Sequence, residues 1–135
     1  MAKKGEIPEF IDSFVSEVNL SSSQYCVAVQ GTARDQAKLP SAAGEGQILG
    51  IIYGTPASGT AKGISIVRRG PTKIKLIGVV AAGDELEIGN SAGAARKYVG
   101  ASKHGRIGTA EEPGVSGDII VAFIDPIDFV QIETA

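Results

Sequence analysis

The stretch GISIVRRGPTKIKLIGVVAAGDELEIG, residues 63–89, decides the fold class. Its short β-branched runs are separated by glycine-bearing turns and predict strands at residues 64–67, 72–76 and 85–88. The sequence Arg69-Gly70-Pro71 predicts a turn between the first two, because proline and glycine restrict the backbone there. The sequence therefore predicts an all-β protein, a small β-barrel or sandwich of short antiparallel strands.

On either side of this stretch, apolar runs bounded by turn residues predict the other strands. Strands are predicted at residues 24–30, 47–53 (broken or bulged at Gly50), 95–99, 105–110 and 118–124, with a surface loop at 31–46. Tight turns are expected at Gly83 and Asp84 and at Gly93, where residues that tolerate positive φ cluster. Alternation predicts exposed, neighbouring positions for four charged side chains: Lys73, Lys75, Glu85 and Glu87.

The strand at residues 118–124 is the most apolar run in the chain. Its side chains are apolar on both faces, as in a central strand or one that lies in a subunit interface. We therefore predict a candidate interface strand that contains Ile119, Ile120, Val121 and Phe123.

The N-terminal segment shows a different periodicity. Apolar residues recur at spacings of three and four over residues 7–18, which predicts an amphipathic helix that caps the barrel, or else an arm that lies on a neighbour. The predicted contact residues with a neighbouring molecule are Ile7, Phe10, Ile11 and Phe14. We thus divide the chain into an N-terminal helix or extended arm (1–20), a β-barrel domain (21–125) and a C-terminal tail (126–135).

The composition of the chain makes several classes of function improbable. With 135 residues the chain fits one domain, and with only 5% aromatic residues its core gains from burial against other subunits. A net charge of −2 gives no basic field for nucleic acid, and no apolar run is long enough for a signal peptide or a membrane span. We expect a soluble protein with no nucleic-acid or membrane partner.

Few residues could carry chemistry. The chain has one Cys and one His, which excludes a disulfide and a Cys/His metal site, and His104 is predicted to be solvated in a polar loop. We predict no catalytic, cofactor or metal site and no enzyme activity. One alternative remains open, a hydrolase or autoprocessing domain that pairs Ser65 or Ser102 with Lys73 or Lys75.

Three segments together resemble the small capsid decoration, or cement, proteins of tailed bacteriophages. They are QYCVAVQG (24–31), the stretch from GQILGIIYG to ARKYV (46–99) and GRIGTAEEPGVSGDIIVAFI (105–124). In this family pattern, Gly83 and Asp84 form a barrel turn, Gly93 a hairpin turn, and residues 117–121 the last strand.

The resemblance implies a homotrimer that sits on the outside of the virion head, made in the host cytoplasm. There it would bind the major capsid protein shell and reinforce contacts between capsid subunits without catalysis. Two alternatives of other classes stay open at this point: the Ser–Lys hydrolase and a monomeric ligand-binding barrel.

Overall fold

The computed structural model describes residues 10–99 and 104–127, and these form a β protein. Within them lie nine strands and no helix, so the predicted all-β class is confirmed. The strands are β1 (Phe10–Ser16), β2 (Val27–Gln30), β3 (Gln36–Lys38), β4 (Ile48–Tyr53), β5 (Gly63–Lys75), β6 (Glu85–Ile88), β7 (Ala95–Lys97), β8 (Arg106–Ala110) and β9 (Ile119–Ile127). Across residues 10–99 and 104–127, no helix is long and apolar enough to cross a membrane.

Five strands close into a first barrel. Their order is β1-β3-β2-β4-β5, and β1 pairs again with β5 to complete the ring. The β1–β3 pair is parallel and the other four pairs are antiparallel. Closure leaves no free strand edge in this barrel.

The other strands extend the sheet into a second barrel, in the order β5-β9-β8-β6-β7. A single parallel bridge between Leu76 and Ala95 brings β7 back to the end of β5. There, Ile77 N–H donates a hydrogen bond of 2.7 Å to the Ala95 carbonyl. The second barrel is therefore closed by one bridge where the first is closed by a ladder.

Strand β5 belongs to both barrels, and the turn predicted at residues 69–71 is wrong. Residues up to Arg69 pair with β1 and β4, whereas Gly70 and Pro71 begin the pairing with β9. Gly70 has φ 111, so the strand bends there without ending. A glycine and a proline at a barrel corner thus redirect one strand from the first sheet to the second.

Two hydrophobic cores follow from this arrangement. The first barrel is filled by one cluster of buried residues: Phe14, Leu20, Ala28, Ala37, Leu49, Ile52, Ile64 and Ile66. The second cluster fills the second barrel and includes four residues of β2 and β4, namely Val27, Val29, Ile48 and Ile51. Strands β2 and β4 are therefore buried on both faces, between the two cores.

The helix predicted over residues 7–18 is wrong for residues 10–16, which form β1 inside the first barrel. On the side of β1 that carries Phe14, Asp12 and Ser16 are polar, and they hide the period-two pattern of the strand. Ser16 is 1% exposed, and its Oγ accepts a hydrogen bond from Lys62 N–H at 3.0 Å. Pairing with β3 and β5 outweighs the local helical periodicity. The division into arm, barrel and tail remains a prediction, and residues 128–135 of the tail lie outside the described residues.

The loop predicted at residues 31–46 contains β3, whose Ala37 is fully buried. Three residues are too few to show a period in the sequence. The bulge predicted at Gly50 is confirmed, since the β2–β4 register shifts beside it. Gly50 is needed there because a Cβ would strike the Val67 carbonyl of the adjacent strand.

Candidate functional site

The described residues expose large apolar side chains in two main groups, one on each barrel. The exposed side chains are Phe10, Ile11, Val15, Val18, Tyr53, Val79, Val99, Val115 and Ile119. The first five lie on or beside β1 and β4 and are called the β1 patch. Val79 and Val115 lie at one end of the second barrel, and their segments, residues 77–83 and 113–117, are called the second-barrel tip.

The β1 patch is built by the register of three strands. Ser13 of β1 pairs with Ser65 of β5, and Ser65 pairs with Tyr53 of β4, so the three lie in one row. Ile11 and Val15 flank Ser13 on the same face by alternation and are 41% and 38% exposed. The centre of the patch is thus apolar or hydroxylated and carries no charge.

The predicted contact residues divide between this patch and the core. Phe10 is 54% exposed at the start of β1, beside the exposed Ile11. Phe14 is 8% exposed and points into the first core, with the Arg68 guanidinium 5.5 Å from its ring centroid. Phe14 therefore stabilises the barrel from inside, and Ile7 lies outside the described residues.

The candidate interface strand, β9, is also divided. Ile120 and Val121 are buried within the chain, whereas Ile119 is 47% exposed, so burial on both faces is wrong at that end. Phe123 is half-buried beneath Arg69, whose Cζ lies 5.6 Å from the ring centroid. Of the four candidate residues, Ile119 is the one that offers a large exposed apolar surface.

The turn residues hold the ends of the second barrel. Gly83 has φ 93, and Asp84 Oδ2 accepts a hydrogen bond from Ala81 N–H at 2.9 Å. Gly93 has φ 89 and packs so closely on β2 that a Cβ would lie 2.9 Å from the Val27 carbonyl oxygen. Both glycines therefore occupy positions where other residues are strained.

At the second-barrel tip, two loops meet in a single antiparallel bridge. Val80 and Gly114 exchange two backbone hydrogen bonds of 2.9 Å, and this register sets Val79 opposite Val115. Val80 is 2% exposed, whereas Val79 and Val115 are 75% and 53% exposed. Two neighbouring valines therefore project from an anchored base into solvent.

Sequence reasoning missed a buried charge cluster on β6. Glu87 was predicted to be exposed but is 0% exposed, and β6 does not neighbour the lysine-bearing half of β5. Its Oε2 accepts hydrogen bonds from Arg96 Nε and Nη2, each at 2.6 Å, and its Oε1 lies 2.8 Å from His104 Nδ1. The predicted solvated state of His104 is therefore wrong as well.

The cluster is covered because a loop folds over it. A Cβ on Gly44 would come within 2.5 Å of the His104 ring, and Gly44 N–H donates to the Ile88 carbonyl at 2.8 Å. Both oxygens of the Glu87 carboxylate therefore have partners, so the cluster holds β7 and the segment at His104 against β6. The available signal for this pair was the opposite charge of Glu87 and Arg96 on the two strands of a predicted hairpin.

Two further ion pairs, one on each barrel, lie closer to solvent. Arg106 Nη1 bonds Glu85 Oε2 at 2.5 Å in the second barrel, and Arg68 Nη1 lies 3.6 Å from Asp12 Oδ2 in the first. Such pairs contribute little because solvent screens them.

The serine and lysine residues of the hydrolase alternative that the structure describes lie far apart on β5. Ser65 lies in the first-barrel half of β5, between Ser13 and Tyr53, and Lys73 and Lys75 lie in the second-barrel half. Eight residues of strand span on the order of 25 Å, so Ser65 and Lys73 are not within hydrogen-bond reach. Ser102 lies outside the described residues. Among the described residues, no group of three or more His, Cys, Asp or Glu could hold a metal ion.

Cys26 is a buried free thiol between the barrels. Burial raises the pKa of Cys26, and the nearby Lys75 partly opposes this effect. A thiol with a raised pKa is a weak nucleophile near neutral pH, which suits a packing role.

Comparison with known proteins shows a fold relationship. No family model and no curated protein matches the sequence. The solved structure of the head fiber gp8.5 N base in bacteriophage phi29 matches with a TM-score of 0.64 and 14% sequence identity. The match covers 86% of this chain and 95% of that one, so the two share a fold over nearly their whole lengths.

Proposed function

We propose that this chain is a non-enzymatic structural protein of a bacteriophage head, which binds the outside of the assembled capsid and stabilises contacts between major capsid subunits. The observation that carries the proposal is the fold shared with a phage head fiber base over 86% of the chain. The sequence independently resembles capsid decoration proteins over residues 24–124. A backbone likeness and a sequence layout thus favour the same kind of protein.

The proposed assembly is a homotrimer joined through the β1 patch. Its five side chains are 38–54% exposed, and at roughly 150–200 Å² per large side chain they present on the order of 350 Å² of apolar surface. A standard interface buries about 800 Å² per partner, with an apolar centre and a polar rim. The patch has the size of such a centre, and a closed ring of copies would limit growth.

The proposal that the chain is not an enzyme is supported by the separation of Ser65 from Lys73 and Lys75 on β5. Attachment to a shell needs no reacting group. Several weak contacts suffice when copies are linked, because each further contact after the first is intramolecular.

The test mixes the purified chain with undecorated heads of the phage that encodes it and counts bound copies by electron microscopy. We expect saturable binding to the outer surface, and a native mass of three subunits for the free protein. A chain that leaves the heads bare contradicts the proposed function, and a native mass of one subunit favours a monomeric barrel. Phe10→Ser with Ile11→Ser should reduce the native mass to one subunit.

A further inference from the structure

The second-barrel tip consists of loops that are held by hydrogen bonds and close packing. Val115 N–H donates to Asp118 Oδ2 at 2.9 Å, and Ala81 N–H donates to Asp84 Oδ2 at 2.9 Å. Beneath the loops, Gly114 sits so close to Leu76 and Ile120 that a Cβ would lie 2.8 Å from each side chain. The exposed valines therefore stand on a fixed base, and binding through them would cost little ordering entropy.

The chemistry of the tip separates an apolar centre from an acidic rim. Residues 77–83 and 113–117 contain no charged residue. Four charged residues next to these segments are acidic, namely Asp84, Glu111, Glu112 and Asp118. Hydrogen bonds of Gly83 N–H to Ala110 and of Ala110 N–H to Asp84 join the two acidic borders, each at 2.8 Å. The basic residue that borders the tip, Lys75, lies on the β5 side.

We propose that the second-barrel tip is a docking knob that inserts Val79 and Val115 into an apolar socket rimmed by Lys or Arg on a partner protein. Exposed apolar groups on an ordered base are a common mark of protein contact sites. The acidic border favours a basic rim over a neutral or acidic one, and it gives the contact orientation and partner choice. A second copy of this chain is a poorer occupant, because like-charged borders would meet in a tip-to-tip contact.

This inference deepens the proposed function and rests on it for the identity of the partner, which would be the capsid shell. The β1 patch then joins copies to one another, and the tip joins each copy to the shell.

The experiment measures binding of Val79→Ser/Val115→Ser to undecorated heads. The matched control is Val99→Ser, since Val99 is a 62% exposed valine on the same barrel but outside the tip. We expect the double variant to raise the half-saturating concentration at least tenfold and the control to leave it within twofold. Val79→Thr/Val115→Thr, which keeps side-chain shape, should show the same direction, and equal thermal midpoints establish that all variants fold.

A second arm tests the charge of the rim through Glu111. This residue is chosen because Asp84, Asp118 and Glu112 accept backbone hydrogen bonds from Ala81, Val115 and Val121, respectively. Affinity for heads should fall from wild type to Glu111→Gln and further to Glu111→Lys, and the difference should shrink in high salt. Equal or tighter binding by Glu111→Lys would overturn the basic rim.

Each outcome separates the two proposals. Wild type that binds heads together with a double variant that binds equally well would overturn the docking knob and leave the proposed function intact. A change in native mass of the double variant would assign the tip to contacts between copies and also overturn the knob. Wild type that does not bind heads would overturn the proposed function and the capsid knob together.

Discussion

The two barrels share β5 but are stabilised in different ways. The first is closed by the β1–β5 ladder around an apolar core, and its outer face at the β1 patch has an uncharged centre. The second is closed by one bridge, and the buried carboxylate of Glu87 on β6 binds Arg96 of β7 and His104 of the covering loop. Both barrels are filled by apolar side chains, and the second adds a buried ion-pair cluster where its closing ladder is reduced to one bridge.

The largest expected effect breaks the first barrel at its closest backbone approach. Gly50→Ala should destabilise by at least about 4 kcal/mol, since the new Cβ meets the Val67 carbonyl and forces strands apart. Urea denaturation measures the change. The matched control is Gly63→Ala on β5, where a Cβ meets nothing within 4 Å. Similar stability of the two variants would disprove the close approach.

The next effect tests whether β1 belongs to the barrel core. Phe14→Ala should cost about 3–5 kcal/mol because a buried aromatic side chain leaves a cavity. Phe10→Ala, with its 54% exposed side chain on the same strand, should cost less than about 0.5 kcal/mol. Thermal and urea unfolding distinguish the two. A detached arm would make both substitutions equally mild.

Removing an arginine should lower the free energy of unfolding more at the buried Glu87 cluster of the second barrel than at the exposed Arg68–Asp12 pair of the first. Arg96→Ala leaves the fully buried Glu87 with His104 alone and should cost about 3 kcal/mol. Arg68→Ala removes a partner from Asp12, which is 48% exposed, and should cost less than about 1 kcal/mol beyond lost packing. Equal losses in urea denaturation would refute the distinction.

The smallest expected effect is a pH dependence of stability that comes from Glu17, directly after β1 in the first barrel. Hydrogen bonds from Thr32 N–H and Oγ1 lower the pKa of Glu17 below its ordinary value of 4.5. A lowered pKa stabilises the folded state above pH 4.5, and this contribution is lost as the pH falls through the folded value. NMR titration should detect the shift, and Thr32→Ala should move the pKa back toward 4.5. An unchanged pKa in that variant would assign the shift to another cause.

The sequence predicted most of the sheet and only part of the surfaces. The apolar runs of β4 and β9, the alternation in β6 and the glycine turns were sufficient for the fold class, because they are local signals. β1 was missed because polar Asp12 and Ser16 lie on the same side of the strand as Phe14, and β3 because three residues show no period. Burial of Glu87 depends on a loop distant in sequence that folds over it through Gly44 and His104. The uncharged runs at 77–83 and 113–117 were visible, but only the bridge between Val80 and Gly114 sets them side by side.

The central proposal is that this chain binds the capsid of a phage head as a structural component. Electron cryomicroscopy of heads incubated with the chain tests it most directly, since one map reports binding, side and orientation. We predict threefold clusters on the outer surface, with the β1 patches between copies and the second-barrel tips toward the shell. Bare heads in the presence of folded, saturating protein would contradict it.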